Sequence, residues 1–222
     1  MDESRKSYEH FSAFERSILT GSVLDIGAGR DPVVSHAVGF DQEQGDANTI
    51  TTHVHQLFDC VYSSHCLEHM QDPSKALANW WQLVKPDGYL FFIVPDEDLY
   101  EQGVFPSRFN GDHKFTFTLA KKRSWSPVSV NVWDLARSLP HSEIVSLALN
   151  DIGYDHRLQK HGQVRSSQIP RFILRQFASL KKRGWDLLPR ACQFYLEKAC
   201  LIDQTRDGGL AQIEVILRKN SR

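Results

Sequence analysis

The chain has 222 residues, 41% of them hydrophobic and 24% charged, which is ordinary for a soluble globular protein and enough for one sizeable α/β domain. Its net charge of -1 gives no bulk attraction to nucleic acid or acidic membranes, and the basic run Lys121-Lys122-Arg123 is short enough for a solvated loop. The opening MDESRKSYEHFSAF lacks a secretory signal's apolar core, no apolar run spans a bilayer, and Cys60, Cys66, Cys192 and Cys200 have no CxxC spacing, so a reduced cytoplasmic protein without membrane insertion is expected.

In chain order, the spacing of Tyr8, Phe11, Phe14 and Ile18 predicts a helix over 6–19. Val23-Leu24-Asp25-Ile26 reads as a buried strand, residues 37–41 as a second ending in an acid, and residues 58–64 as a third. Asp72-Pro73 starts a helix running to about Val84, because Asp suits the N-cap and Pro the first turn. Lys85-Pro86-Asp87-Gly88 reads as a turn, and residues 89–94 form an apolar strand stopped by Pro95.

Residues 96–128 are too long for a simple turn and suggest a lid or substrate loop. Residues 130–139 look helical, 142–150 lean towards strand, and 170–200 suggest one or two helices built on Phe172, Leu174, Phe177, Leu180, Trp185, Leu188, Phe194 and Leu196. Residues 211–218 alternate as a last strand, able to pair antiparallel at the sheet edge. Apolar strands alternating with helices indicate a parallel sheet covered on both faces, which binds ligands at the carboxyl ends of its strands.

The polar residues collect at those ends. In Asp25-Ile26-Gly27-Ala28-Gly29 the glycines permit a sharp turn close to a ligand, and Asp25 can accept from an amine or orient the loop. Arg30-Asp31-Pro32 follows, so there is no GxGxxG; no GxxxxGK[ST] occurs either, which excludes a P-loop. Asp41 is placed to bind ribose hydroxyls or to serve as a turn acid. Asp46-Ala47 can accept an adenine amino group beside a small residue or lie in a solvated loop. Ser63-Ser64-His65-Cys66-Leu67-Glu68-His69 follows the third strand; His65 and His69 are four residues apart, but with no further acid at ligand spacing no metal is assigned there.

Taken together, VLDIGAGRDP, GFDQEQGDA and FDCVYSSHCLEHMQDPSKALANWWQLVKPDGYLFFIVPDED resemble the class I S-adenosylmethionine-dependent methyltransferases, in particular the broad group with an LEH…DP…KPGG pattern. The resemblance covers about residues 20–97. It implies a Rossmann-like, seven-stranded, mostly parallel α/β sheet with helices on both faces and a C-terminal antiparallel strand. It also implies S-adenosylmethionine as cofactor, with Asp25, Gly27, Ala28 and Gly29 at its methionine part and Asp41 at the ribose. Asp46 and Ala47 would meet the adenine, and Ser63, Ser64 and His65 would line the cofactor. Arg30-Asp31-Pro32 departs from the pattern and implies a short or remodelled first helix. The interval from Asp41 to Asp46 lacks the usual helix and strand, and Asp87 stands where glycine is common.

On this reading residues 1–222 are a single methyltransferase domain, with 6–95 as the cofactor-binding half and 96–128 and 160–205 as substrate-side insertions. The stretch PDEDLYEQGVFPSRFNGDHKFTFT offers Asp96, Glu97, Asp98, Glu101, Arg108, Asp112, His113 and Lys114 at the ligand edge, with aromatics able to close over a substrate. His113 is the choice of base, since imidazole titrates near neutral pH; a divalent ion at Asp96, Asp98 and Asp112 is a remoter option. The expected reaction is methyl transfer to oxygen or nitrogen of a small polar acceptor, such as a sugar or glycan precursor. A protein or nucleic-acid methyltransferase is the alternative within enzymes, disfavoured for nucleic acid by the charge and by the lack of an NPPY-like motif. A non-catalytic binding subunit is disfavoured by the intact Asp25, Gly27, Gly29 and Asp41. A homodimer is left open.

Overall fold

The computed structural model describes residues 3–159 and 201–221. Its strands in chain order are β1 (Val23–Ile26), β2 (Val38–Phe40), β3 (Phe58–Ser64), β4 (Val84–Pro95), β5 (Thr116–Thr118), β6 (Ser129–Asn131), β7 (Ser142–Asn150) and β8 (Gln212–Lys219). Six form one sheet in the order β2-β1-β3-β4-β8-β7. The first four are parallel, while β8 pairs antiparallel with both β4 and β7. The antiparallel last strand is therefore as expected, but it lies inside the sheet, and β7 takes the edge beyond it.

The main sheet has six strands where seven were expected. The missing crossover falls between β2 and β3, where a single 3-10 helix, Ala47–Thr52, occupies the connection. Too few residues separate Asp41 from Phe58 for a helix and another strand. A helix is likewise absent between β1 and β2 among the described residues: Arg30-Asp31-Pro32 is carried in turns.

The helix expected over 6–19 is two helices, α1 (Glu3–Glu9) and α2 (Ala13–Ile18). Ser12 restarts the chain as the N-cap of α2, in a reciprocal capping box with Glu15. Helix α3 (Pro73–Gln82) starts where the sequence indicates: Asp72 accepts from the Ser74 and Lys75 amides, each at 3.1 Å, and Pro73 fills the first turn. The turn expected at Lys85–Gly88 sits inside β4 as a bulge, with the register jumping from Phe58↔Val84 to Cys60↔Tyr89 and Asp87 at φ 62°. Helix α4 (Val132–Arg137) is shorter than the expected 130–139. The helices expected over 170–200 lie outside the described residues.

Strand alternation sends side chains into two cores. Leu24, Ile26, Phe58, Val61, Leu90, Phe92 and Val94 pack with Trp80 and Trp81 of α3 and with α4. Val23, Cys60, Tyr62, Phe91 and Ile93 face the other way, onto Phe11 and Ile18. Trp80 and Trp81 also satisfy their indole N–H groups, on the Ala47 and Pro140 carbonyls at 2.9 and 3.0 Å. With both faces covered, the carboxyl ends of β1 to β4 remain as the open edge where polar side chains gather.

Candidate functional site

At the end of β1 the chain turns through Gly27 (φ 82°) and Gly29 (φ 58°). The Gly27 amide donates to the Phe40 carbonyl at 2.8 Å, tying the turn to β2. A Cβ on Gly27 would lie 2.8 Å from the Cys66 Cβ, so glycine is required by conformation and by space. At Gly29 the nearest atom to such a Cβ is Asp41 Oδ2 at 4.0 Å, which leaves open room beside the loop. Asp25 is buried and accepts from the Val33 amide at 2.7 Å, so it orients the chain as it returns after Arg30-Asp31-Pro32. Of the two roles open to Asp25 in the sequence, loop orientation is the one its hydrogen bond serves. Ala28 is buried beneath the loop and packs on Gly39.

Asp41 bridges the next turn. Its Oδ2 accepts from the Gly29 amide at 2.8 Å and its Oδ1 from the Gln42 amide at 2.7 Å. Each oxygen retains a lone pair for a hydroxyl. Asp46 caps the 3-10 helix, accepting on Oδ1 from the Asn48 amide and side chain at 2.9 and 2.7 Å. Those bonds hold its carboxyl below the usual carboxylate range. Ala47 is half-buried, with its carbonyl spent on Trp80.

The third strand end lies beside the glycine loop. Ser63 donates to the Ile26 carbonyl at 2.9 Å. Ser64 Oγ is buried without a hydrogen bond among the described residues. The space beside Gly29, an acid bridging two amides and an orphaned buried hydroxyl fit a polar, amino-acid-bearing nucleoside ligand in donor set.

Immediately beyond, His65 takes a left-handed backbone (φ 51°), uncommon outside glycine and a mark of local strain. Its Nε2 meets the Gln212 Oε1 of β8 at 3.1 Å, and its Nδ1 lies 3.5 Å from Glu68 Oε1. Glu68 is fully buried, and neither of its oxygens has a short hydrogen bond among the described residues, His65 reaching it only at 3.5 Å. Burial pushes its carboxyl up, but His65, then His113 and His69, outweigh that and hold it below the ordinary carboxylate range. The neighbouring Cys66 thiol is pushed up to about 12 by burial and by Glu68 and Asp41, so it is no nucleophile.

His113 arrives from the long connection. The backbone joins the two segments: the Lys114 and Phe115 amides donate to the Glu68 carbonyl at 2.9 and 3.3 Å. His113 is buried, with Nδ1 at 2.8 Å from Glu101 Oε1 and Nε2 at 3.8 Å from Glu68 Oε1. Glu101 is buried as well. The sequence singled out His113 as base and offered Glu101 among the acids of the connection and Glu68 within LEH, but paired neither with His113. Glu68 between two histidines in HCLEH was the available signal; its pairing with residues 101 and 113 depends on how the connection folds back.

The rest of that connection is well folded. It carries a π-helical turn, Glu97–Glu101, and the small parallel pair β5–β6, neither legible as a lid. Asp96 caps the turn by accepting from the Asp98 and Leu99 amides, each at 3.0 Å. Buried Glu97 accepts from Thr116, Lys121, Ser124 and Ser129 and so gathers the loop around itself. Asp98 pairs with Lys121, and Asp112 lies 3.4 Å from His69 Nδ1. The acids Asp96, Asp98 and Asp112 do not form a ligand cluster; among the described residues the group with metal-ligand spacing is Glu68, His69 and His113.

A mostly parallel sheet with an antiparallel strand inserted beside β4, and a glycine loop at the end of β1, defines the class I methyltransferase architecture. A family model described as "Methyltransferase domain" matches residues 5–166, and the chain belongs to that family. It is an S-adenosylmethionine-dependent methyltransferase, and S-adenosylmethionine is its cofactor. Among solved structures it is similar to a SAM-dependent methyltransferase from Archaeoglobus fulgidus, at 15% identity and TM-score 0.53, over 98% of this chain and 95% of that one. It is also similar to the plantazolicin methyltransferase BamL in complex with a triazolic desmethylPZN analog and SAH, at 16% identity and TM-score 0.50, over 99% and 86% of the two chains. At such identities the likeness speaks for the fold. No curated protein matches the chain. Among the described residues no helix is long and apolar enough to cross a membrane.

Proposed function

We propose that the chain transfers a methyl group to an oxygen or nitrogen of a small polar acceptor, with a sugar or glycan precursor as the preferred class. Residues 6–95 hold the cofactor, and 96–128 with 160–205 shape the acceptor side, the latter falling largely outside the described residues. In this reading the Gly27-Ala28-Gly29 loop, positioned by Asp25, takes the amino-acid end of S-adenosylmethionine. Asp41 takes the ribose hydroxyls, Asp46 and Ala47 border the adenine, and Ser63, Ser64 and His65 line the wall between them. The bound cofactor supplies a methyl group already activated on a sulfonium, so the protein's work is alignment and handling of the acceptor's proton.

The observation that carries the reading is the buried His113–Glu101 pair at 2.8 Å, held beside the Ser63–His65 strand end. Glu101 takes the Nδ1–H and leaves Nε2, on the Glu68 side, as the basic nitrogen, the arrangement of a base held by a second group. The near-neutral charge supports a small acceptor over nucleic acid. Calorimetry with S-adenosylmethionine, followed by transfer of labelled methyl to a panel of sugars, amines and phenols, tests it. Saturable cofactor binding with labelling of a polar acceptor is expected. Folded protein that binds no cofactor would refute the site, and cofactor binding with labelling confined to protein or nucleic acid would refute the acceptor class.

A further inference from the structure

We propose that Glu68, His69 and His113 form a binding site for one divalent first-row transition ion, with His65 at its flank. Each residue offers a ligand atom, and these atoms lie within 4.8 Å of one another. Two ligand atoms on a tetrahedral ion, each about 2.1 Å from it, stand about 3.4 Å apart. Glu68 Oε1 lies 3.5 Å from His65 Nδ1 and 3.8 Å from His113 Nε2, too far for good hydrogen bonds and near the spacing of neighbouring ligands.

The independent mark of a ligand is Glu68 itself. A fully buried carboxylate met only by imidazoles at 3.5 and 3.8 Å, with no short hydrogen bond among the described residues, is costly unless a cation satisfies it. The histidines are arranged for that cation. His113 Nδ1 is 2.8 Å from Glu101 Oε1, and His69 Nδ1 is 3.1 Å from the Asp112 carbonyl. Each imidazole can thus give one N–H to an oxygen and keep its other nitrogen as a donor pair, the outer-shell arrangement that orients metal-bound histidines. Glu101 and Asp112 add negative charge just behind the histidines, as a divalent ion requires.

Two imidazoles and one carboxylate favour zinc, cobalt, iron or nickel over magnesium or calcium, which take oxygen shells. Three protein ligands leave a position open for an exogenous oxygen. Resting on the methyltransferase reading, that position would serve the acceptor side. Ion binding as such does not depend on that reading.

Cobalt(II), whose visible absorption reports coordination, is the probe. The full chain, stripped by a chelator, is titrated with cobalt(II) alone and then with zinc in competition, with cofactor binding measured in parallel. One cobalt per chain with a visible ligand-field spectrum, displaced by zinc and not by magnesium, is expected. Glu68→Gln and His113→Gln should each weaken cobalt by at least about tenfold while S-adenosylmethionine binding persists. His69→Asn, at the most exposed ligand, supplies the same test should a buried variant fail to fold. Wild-type protein that binds S-adenosylmethionine yet takes up no cobalt at about 1 mM would overturn the site. So would unchanged cobalt affinity in folded Glu68→Gln or His69→Asn. Cobalt uptake without cofactor binding would uphold the ion site and count against the cofactor assignments alone.

Discussion

His113 and Glu101 meet at 2.8 Å inside the protein, both side chains buried, with the imidazole's other nitrogen turned toward Glu68. A buried carboxylate on one face of a histidine fixes the ring and its tautomer. Glu101→Gln keeps the shape but offers an amide where the imidazole expects a charged acceptor. Methyl transfer should fall by about one to two orders of magnitude, with cofactor affinity within a few fold, because Glu101 acts through His113. Single-turnover rates of the wild type and Glu101→Gln, paired with calorimetry, decide it; a parallel loss of cofactor binding would show that Glu101 instead shapes the whole site.

Gly27 is the tightest point of the loop. Alanine there would adopt φ 82° and place its Cβ 2.8 Å from Cys66 Cβ and 3.0 Å from Cys66 Sγ. Backbone strain alone costs about 1–3 kcal/mol, and the contact adds to it. Gly27→Ala should therefore lower stability measurably and weaken S-adenosylmethionine at least about tenfold, about 1.4 kcal/mol of binding. Removing the obstructing side chain in Gly27→Ala/Cys66→Gly should recover part of the stability. Urea unfolding and calorimetry on the single and double variants test this; no recovery would mean that the strain, and not the contact, dominates.

The loop's place in the sequence was plain, because a buried strand ending in Asp-x-Gly-x-Gly is a local pattern. Strand β3 was equally legible: seven residues, nearly all buried, need no partner to be recognised. What escaped is what depends on distant pairing. The three-residue strands β5 and β6 carry no period, and β4 begins earlier than its apolar run because Lys85–Gly88 bulges within it. Ser142–Asn150 was read as a strand, but its half-exposed pattern gave no hint that β8 would separate it from β4. At the site, His113 stood out by residue type alone. Glu101 was one acid among several on the connection and Glu68 one residue of a motif, since a glutamate's role becomes informative only once it is known to be buried against an imidazole.

Trp80 joins the core to the adenine side of the proposed pocket. Its ring is fully buried, and its N–H holds the Ala47 carbonyl, next to Asp46. Trp80→Phe removes one ring and leaves that carbonyl without its donor, which should cost about 1–3 kcal/mol. Cofactor affinity should drop only modestly, since the 3-10 helix keeps its Asp46 cap. Chemical denaturation with parallel calorimetry tests the pair of effects. Unchanged stability would mean that the indole bond contributes nothing net.

Asp96 should make the fold less stable as pH rises through the mildly acidic range. Burial, joined by Asp98 and only partly countered by the Leu99 and Asp98 amides, lifts its carboxyl from an ordinary 3.8 to about 6. Between those values the folded chain holds a proton that the unfolded chain has released. Folding stability from this group is thus fully present below about pH 4 and lost as pH climbs to about 6, a swing of at most about 3 kcal/mol. Asp96→Asn keeps a side-chain oxygen to accept from the Asp98 and Leu99 amides but cannot titrate. The variant should match the wild type near pH 4 and exceed it near pH 7, in urea unfolding followed across that range. Taking the difference between the two proteins removes the other titrating groups, including Glu214, which burial also pushes up. Parallel stability curves for the two proteins would show that Asp96 is solvated well enough to ionise normally in the fold.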